Sequence, residues 1–313
     1  MKENQRRRAV TRWAEWAEWA AECRSRLLKS IQYVSKEKER ICILMIVGIA
    51  MGVNIMAQSI PVRDRFNPGE ITYYDLYFKW GVIMSHAGNA SISMQSTTYA
   101  SKPGYFYRLL FNTSGLFEKV YKMRDTIDNY YSSNMQLLFS QKRVNENDYY
   151  LVDDLTFSYG NNRVYAHSHR YTLEKTKIDT MLVSSKEYMF DMLASTLYLR
   201  SLEWDNMQVG DTFPFNVAIG RDRVNIRFRY AGQQVVERSE TLKYRTHHFY
   251  VDIFDDAFTQ SKSAAELWIG DDDNHLPVKI RAKLKIGAVE VYYRNAGGLR
   301  YPLTSRVNIP KKR

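Results

Sequence analysis

From Glu70 onward the hydrophobic residues of this chain recur every second position, and that period restricts the fold to β-sheet. In Val224–Tyr230 the apolar residues Val224, Ile226, Phe228 and Tyr230 fall on one side, with Asn225, Arg227 and Arg229 on the other. Across 277–286, Val278, Ile280, Ala282, Leu284 and Ile286 alternate with Lys279, Arg281, Lys283 and Lys285. Successive side chains of a strand point to opposite faces, so both stretches predict strands with one wet face. Similar alternation occurs in Tyr74/Leu76/Phe78/Trp80, Ala90/Ile92/Met94, Tyr105/Tyr107/Leu109/Phe111 and Leu242/Tyr244. Turn signals at Lys102-Pro103-Gly104, Gly160-Asn161-Asn162, Ala231-Gly232 and Asp271-Asp272-Asp273-Asn274 separate these runs. Links this short imply antiparallel meanders, because parallel crossovers need a dozen or more residues.

One segment breaks the period. Ser184 and Glu187 have the spacing of a capping box. The residues behind them, including Tyr188, Met189, Phe190, Met192, Leu193, Leu197, Tyr198 and Leu199, are apolar on nearly every helical face. A helix that is apolar all round is buried. The prediction is therefore a mainly β fold, a curved antiparallel half-barrel wrapped around a helix at about 184–203. Leu116, Phe117, Val120 and Tyr121 have the spacing of a shorter second helix in the same cavity.

Ahead of this domain lies an uncharged run, Ile41–Ala57, that follows the basic segment KEKER. Its 17 residues would span roughly 25 Å as a helix, short of the roughly 30 Å hydrocarbon core. The pattern reads as a secretory signal cleaved near Gln58. The alternative is an uncleaved anchor, with Arg6, Arg7, Arg8, Arg24, Arg26, Lys29, Lys36, Lys38 and Arg40 on the cytoplasmic side. The expected layout is an N-terminal extension plus signal or anchor over 1–57 and one β-rich domain over 58–313. The expected location is the periplasm or cell envelope, or the inner membrane through 41–57. Residues 1–40 are long for a signal peptide, and a start near Val34 would leave a compact one.

The 256 residues after Ala57 suffice for one large domain. The leader holds 11 Lys+Arg and 6 Asp+Glu, so +6 of the net +11 stays with the domain. That mild basicity argues against nucleic acid and suits anionic lipid. Both cysteines, Cys23 and Cys42, lie in the leader, which removes disulfides, thiol nucleophiles and cysteine-metal chemistry from the domain.

No G-x-S-x-G elbow, H-E-x-x-H, P-loop or dinucleotide glycine pattern occurs, so a non-catalytic protein without cofactor is expected. His167 and His169 would share a strand face as half of a zinc site, but no carboxylate or third histidine is placed by sequence to complete it. His247 and His248 would point to opposite sides. The Asp271–Asn274 run lacks the glycine and distal glutamate of an EF-hand and reads as a hairpin turn. Arg221/Arg223/Arg227/Arg229 and Lys279/Arg281/Lys283/Lys285 could line a cationic patch for lipid head groups. Tyrosine doublets at 73–74, 130–131, 149–150 and 292–293 would each place one ring inside and one outside. Asp191 and Arg200, the charges on the buried helix, each need a partner or an opening to solvent.

The chain also resembles the domain-of-unknown-function 3108 family of bacterial envelope proteins. The resemblance rests on Gly69-Glu70 with Tyr74 and Trp80-Gly81, on Asp191 through Arg200, on Val209-Gly210-Asp211, and on the hairpin from Leu267-Trp268-Ile269 through Leu276-Pro277-Val278 to Gly287. It implies an exported β-rich domain and carries over no catalytic residues. At the level of fold it is similar to periplasmic lipoprotein carriers, whose half-barrels hold acyl chains against a helix. The residues expected to line a lipid-like ligand are Arg200, Tyr198, Phe190, Trp268 and Trp80, with no metal. The alternative is an assembly partner that binds envelope proteins through tyrosine-rich and basic surfaces.

Overall fold

The structure, a computed structural model, describes residues 65–204, 206–254, 261–284 and 287–308. The apolar run at 41–57 lies outside them, and among the described residues no helix is long and apolar enough to cross a membrane.

The strands follow the alternation. The first series is β1 (Ile71–Trp80), β2 (Ile83–Tyr99), β3 (Lys102–Thr113), β4 (Arg124–Ser132), β5 (Leu137–Glu146), β6 (Tyr149–Gly160), β7 (Arg163–Tyr171) and β8 (Thr176–Val183). The second is β9 (Met189–Phe190), β10 (Thr212–Ile219), β11 (Asp222–Ser239), β12 (Leu242–Phe254), β13 (Ser261–Gly270), β14 (Pro277–Lys283), β15 (Ala288–Gly297) and β16 (Arg306–Asn308). β1–β8 and β10–β15 are each a meander, and the two join where β1 pairs antiparallel with β15. The result is one sheet running from β8 through β1 and β15 to β9, with β16 added beside β12.

This sheet coils until its edges nearly meet. Only residues 184–188 link β8, at one edge, to β9, at the other. Side chains span the seam where backbone pairing stops. Arg223 Nη1 donates to the Val183 carbonyl at 2.8 Å, and the buried Asn216 accepts the amides of Ser185 and Lys186 at 2.7 and 3.0 Å. Long strands coil this tightly only where backbones can approach closely. At Gly88 and Gly104 a Cβ would overlap the carbonyl oxygens of Asn112 and Tyr131 on the neighbouring strands.

The concave side holds α2 (Ala194–Ser201), and a one-turn helix, α1 (Gly115–Val120), lies between β3 and β4. Both differ from expectation. The interior helix covers eight residues and not 184–203. Met189 and Phe190 pair in parallel with Asn216 and Val217, and that backbone pairing withdraws them from the helix. Ser184 does not cap it either, since its Oγ accepts the Val164 amide at 2.9 Å. The helix at 115–120 exists but buries no residue, so it sits at the rim and not in the cavity.

The core unites α2 with strands from all round the sheet. Leu193, Leu197 and Leu199 meet Tyr131, Phe157, Phe215 and Phe249, all nearly inaccessible to water. Burying each leucine contributes roughly 2 kcal/mol. Of the tyrosine doublets, 73–74 and 130–131 split as expected into one buried and one half-buried ring, whereas Tyr292 and Tyr293 are both buried.

On the other face part of the cationic rows enters cross-strand ion pairs. Asp252, fully buried, binds Arg227 at 3.1 Å and Arg229 at 3.0 Å. Asp128 binds Arg108 at 2.6 Å and Arg143 at 3.1 Å. Glu290 lies 3.6 to 3.7 Å from Lys79, Lys279 and Arg281. Arg227, Arg229, Lys279 and Arg281 are therefore held in shared ion pairs, each carboxylate drawing in two or three cations. Residues 285–286 lie outside the described residues.

Candidate ligand-binding site beside the interior helix

Two polar latches position α2. At its start the fully buried Asp191 carboxylate accepts the Ala194 amide at 2.7 Å, Asn129 Nδ2 at 2.8 Å and Ser140 Oγ at 2.9 Å. It thereby satisfies a helix-end amide and ties the helix to β4 and β5. Burial raises its pKa, and the three donors only partly offset that.

At the other end Arg200, 2 % exposed, grips both Glu70 oxygens, with Nη1 at 2.7 Å and Nη2 at 3.1 Å. Its remaining donors reach the carbonyls of Asn274 at 3.0 Å and Arg65 at 2.9 Å. The guanidinium is spent within the protein. Tyr107, beside this pair, hydrogen-bonds Thr196 Oγ1 at 2.9 Å, and burial pushes its hydroxyl up to about 12.

Between the latches α2 presents an aromatic wall. Tyr198 lies 5.1 Å from Phe190, 5.0 Å from Tyr188 and 5.4 Å from Phe215. Phe215 in turn packs 4.8 Å from Phe228. Phe190, Tyr198, Phe215 and Phe228 are buried, but Tyr188 is half-exposed and belongs to the link that crosses the seam. An offset ring cluster of this kind packs apolar matter well.

Of the five anticipated ligand residues, the structure brings Phe190 and Tyr198 together. Arg200 sits two positions from Tyr198, on another side of the helix, inside its own ion pair. Trp268 belongs to a second cluster with Tyr74, Val236, Tyr244 and Leu276; its Nε1 donates to Gln234 at 2.8 Å. Trp80 ends β1 and is 48 % exposed.

A buried polar chain beyond the helix was not anticipated. Trp204 stacks on His275 at 3.6 Å and meets His247 edge-on at 4.6 Å. His247 contacts Tyr230 Oη at 2.8 Å and Asp271 Oδ1 at 3.0 Å. Desolvation lowers the His275 pKa to about 3, so this ring is neutral and its Nδ1 donates to the Arg200 carbonyl at 2.9 Å. The only sequence signal was the adjacency of His247 and His248, which do face different clusters: His248 stacks on Trp268 at 4.6 Å.

His167 and His169 acquire the carboxylate that the sequence did not supply. Asp179 on β8 lies 2.5 Å from His167 Nε2 and 3.6 Å from His169 Nδ1. Even so, among the described residues no group of three or more His, Cys, Asp and Glu side chains could hold a metal ion. In the Asp271–Asn274 turn, Asp272 accepts the amides of Asn274 at 3.0 Å and Ser305 at 3.1 Å.

These features define a mainly β protein, an unclosed antiparallel sheet coiled around one short latched helix. The chain belongs to the family described as protein of unknown function (DUF3108), whose model matches residues 73–294. Among solved structures it is similar to a β-barrel-like protein of domain of unknown function DUF1849 from Brucella abortus. The TM-score is 0.47 at 10% identity, over 74% of this chain and 98% of that one. No curated protein matches the chain.

Proposed function

We propose that this chain is a non-catalytic protein of the cell envelope, exported through its 41–57 segment, that shelters an apolar or amphiphilic molecule beside α2. The observation that carries the reading is the half-exposed Tyr188. It stacks at 5.8 Å and 13° on buried Phe190, in the link where the sheet edges stay unpaired. A guest entering at that seam would extend an existing aromatic wall and would need to break no backbone ladder. Arg200 is not its receptor, because that guanidinium is already committed.

The test is extraction of the protein from its own host, followed by native mass spectrometry. Wild type should carry a lipid-sized mass that Tyr188→Ala reduces severalfold. Protein recovered empty from membranes and periplasm alike would refute the reading.

A second reading, a structural partner of other envelope proteins, draws support from the convex face. There Tyr130 lies 4.8 Å from Tyr99 and 4.9 Å from Phe106, and Phe139 lies 6.2 Å from both tyrosines, all four rings half-exposed. It predicts proteins in place of lipids in the same purification.

A further inference from the structure

The β1–β2 hairpin ends in a two-residue connection, Gly81-Val82, closed by the Trp80–Ile83 pair. Gly81 has φ +57°, as the first position of such a tight turn requires. The second position usually goes to a polar or small residue, yet here it is Val82, a β-branched residue fully open to solvent. Trp80, Ile83 and Met84 around it are each 45–48 % exposed. Four large apolar residues within five positions thus crowd one exposed hairpin tip.

The neighbours extend this surface. α1 packs beside β2, tied to β1 through Phe117 and Phe78 at 6.0 Å, and turns Leu116 and Val120 outward. On the other flank Gly287 lies against the Lys79 carbonyl at the end of β1, and Leu284 is exposed. Cations stand among these residues: Lys119, Lys122 and Lys283 are exposed, while Lys79 is paired with Glu290. Of the nearby acids, Glu118 is paired with Arg124, whereas Glu146, which accepts from the Tyr121 hydroxyl, keeps its negative charge. Asp148 on the β5–β6 turn offsets one of the lysines.

We propose that this rim, the β1–β2 tip with α1 and Leu284 beside it, docks into the interface of a bilayer that carries anionic lipid. Val82 and Ile83 enter the acyl boundary, Trp80 lies at head-group level, and the lysines meet lipid phosphates. The shape selects a bilayer over a protein groove, because the apolar residues stand on a protruding tip and the cations ring it. Buried apolar area and electrostatic attraction to anionic lipid together set such binding. The rim is separate from the seam beside α2, so docking does not depend on what the seam holds.

The test uses the full chain with Cys23 and Cys42 changed to Ser and an environment-sensitive fluorophore on Val82→Cys. A second preparation carries the fluorophore on Asn162→Cys, in the β6–β7 turn at the opposite end of the strands. With vesicles containing phosphatidylglycerol, the emission at 82 should shift to the blue and rise severalfold, while that at 162 stays constant. Adding Lys119→Gln and Lys122→Gln should weaken the response on the order of thirtyfold in vesicle concentration. No response at 82, equal responses at both sites, or a response that needs a second protein and not vesicles would each overturn the proposal.

Discussion

Arg200 and Glu70 lie 130 residues apart and meet as a bidentate ion pair, closed off from water, at 2.7 and 3.1 Å. The pair ties the end of the interior helix to the start of β1, close to the junction of the two meanders. It converts two charges that would each be costly in the core into one clamp.

Arg200→Met leaves the Glu70 carboxylate buried alone and should cost about 3–5 kcal/mol. Replacing Glu70 with Leu as well should recover much of that loss, because no uncompensated charge remains. Urea unfolding midpoints of the two single variants and the double variant measure the coupling. An Arg200→Met protein as stable as wild type would show that the clamp does not hold the helix.

Asp191→Ala removes the acceptor of the Ala194 amide and strands Asn129 and Ser140, at a cost of about 2–3 kcal/mol. Asp191→Asn should be far milder at neutral pH. The raised pKa of Asp191 means that burial penalises its charged form, and the amide abolishes that penalty. Thermal unfolding of both variants at pH 7 gives the order.

Two groups should set separate acid limbs. His275, with its folded pKa lowered to about 3, is neutral in the native state and takes up a proton on unfolding. Its contribution is complete above pH 6.5 and is lost as pH falls from there toward 3. His275→Gln should flatten the stability profile in that window.

Asp252 acts lower. Burial alone would raise its pKa, but Arg229, the Ser263 amide and Arg227 hold it down to about 2. Its contribution, about 2 kcal/mol, is present above pH 3.8 and disappears as pH falls toward 2. Asp252→Asn should remove this lower limb and leave the one above pH 4 unchanged, as read by denaturant titrations at stepped pH.

On the aromatic wall, exposure should decide which variants report on ligand and which on folding. Tyr198→Ala empties a core position and should cost about 3–5 kcal/mol. Tyr188→Ala truncates a half-exposed ring and should cost about 1 kcal/mol. Calorimetric melting of both, set beside the lipid recovered with each, separates the two effects.

The strands were legible because alternation is local. In Val224–Tyr230 the alternate residues Val224, Phe228 and Tyr230 are buried, and Asn225, Arg227 and Arg229 between them are half-buried. The length of the interior helix was not legible. Ser184, Glu187 and the apolar run have helical spacing, yet Met189 and Phe190 satisfy their backbone on Asn216 and Val217, a choice that exists only once β10 is alongside. Phe190 and Tyr198 could be paired from sequence through their shared apolar run. Trp268 and Trp80 could not be separated from them, because aromaticity does not say which face or which end of a sheet a ring occupies.

What the amino-acid order determined by itself is the class of fold, a one-faced antiparallel β domain with a single apolar helix, because periodicity and turn chemistry act within a few residues. Tertiary structure alone decided the partners: Glu70 for Arg200, Asn129 and Ser140 for Asp191, Asp252 for Arg227 and Arg229, Asp179 for the two histidines. These charges and donors must be compensated wherever they are buried, and compensation depends on which distant segments the coiling sheet brings within about 3 Å.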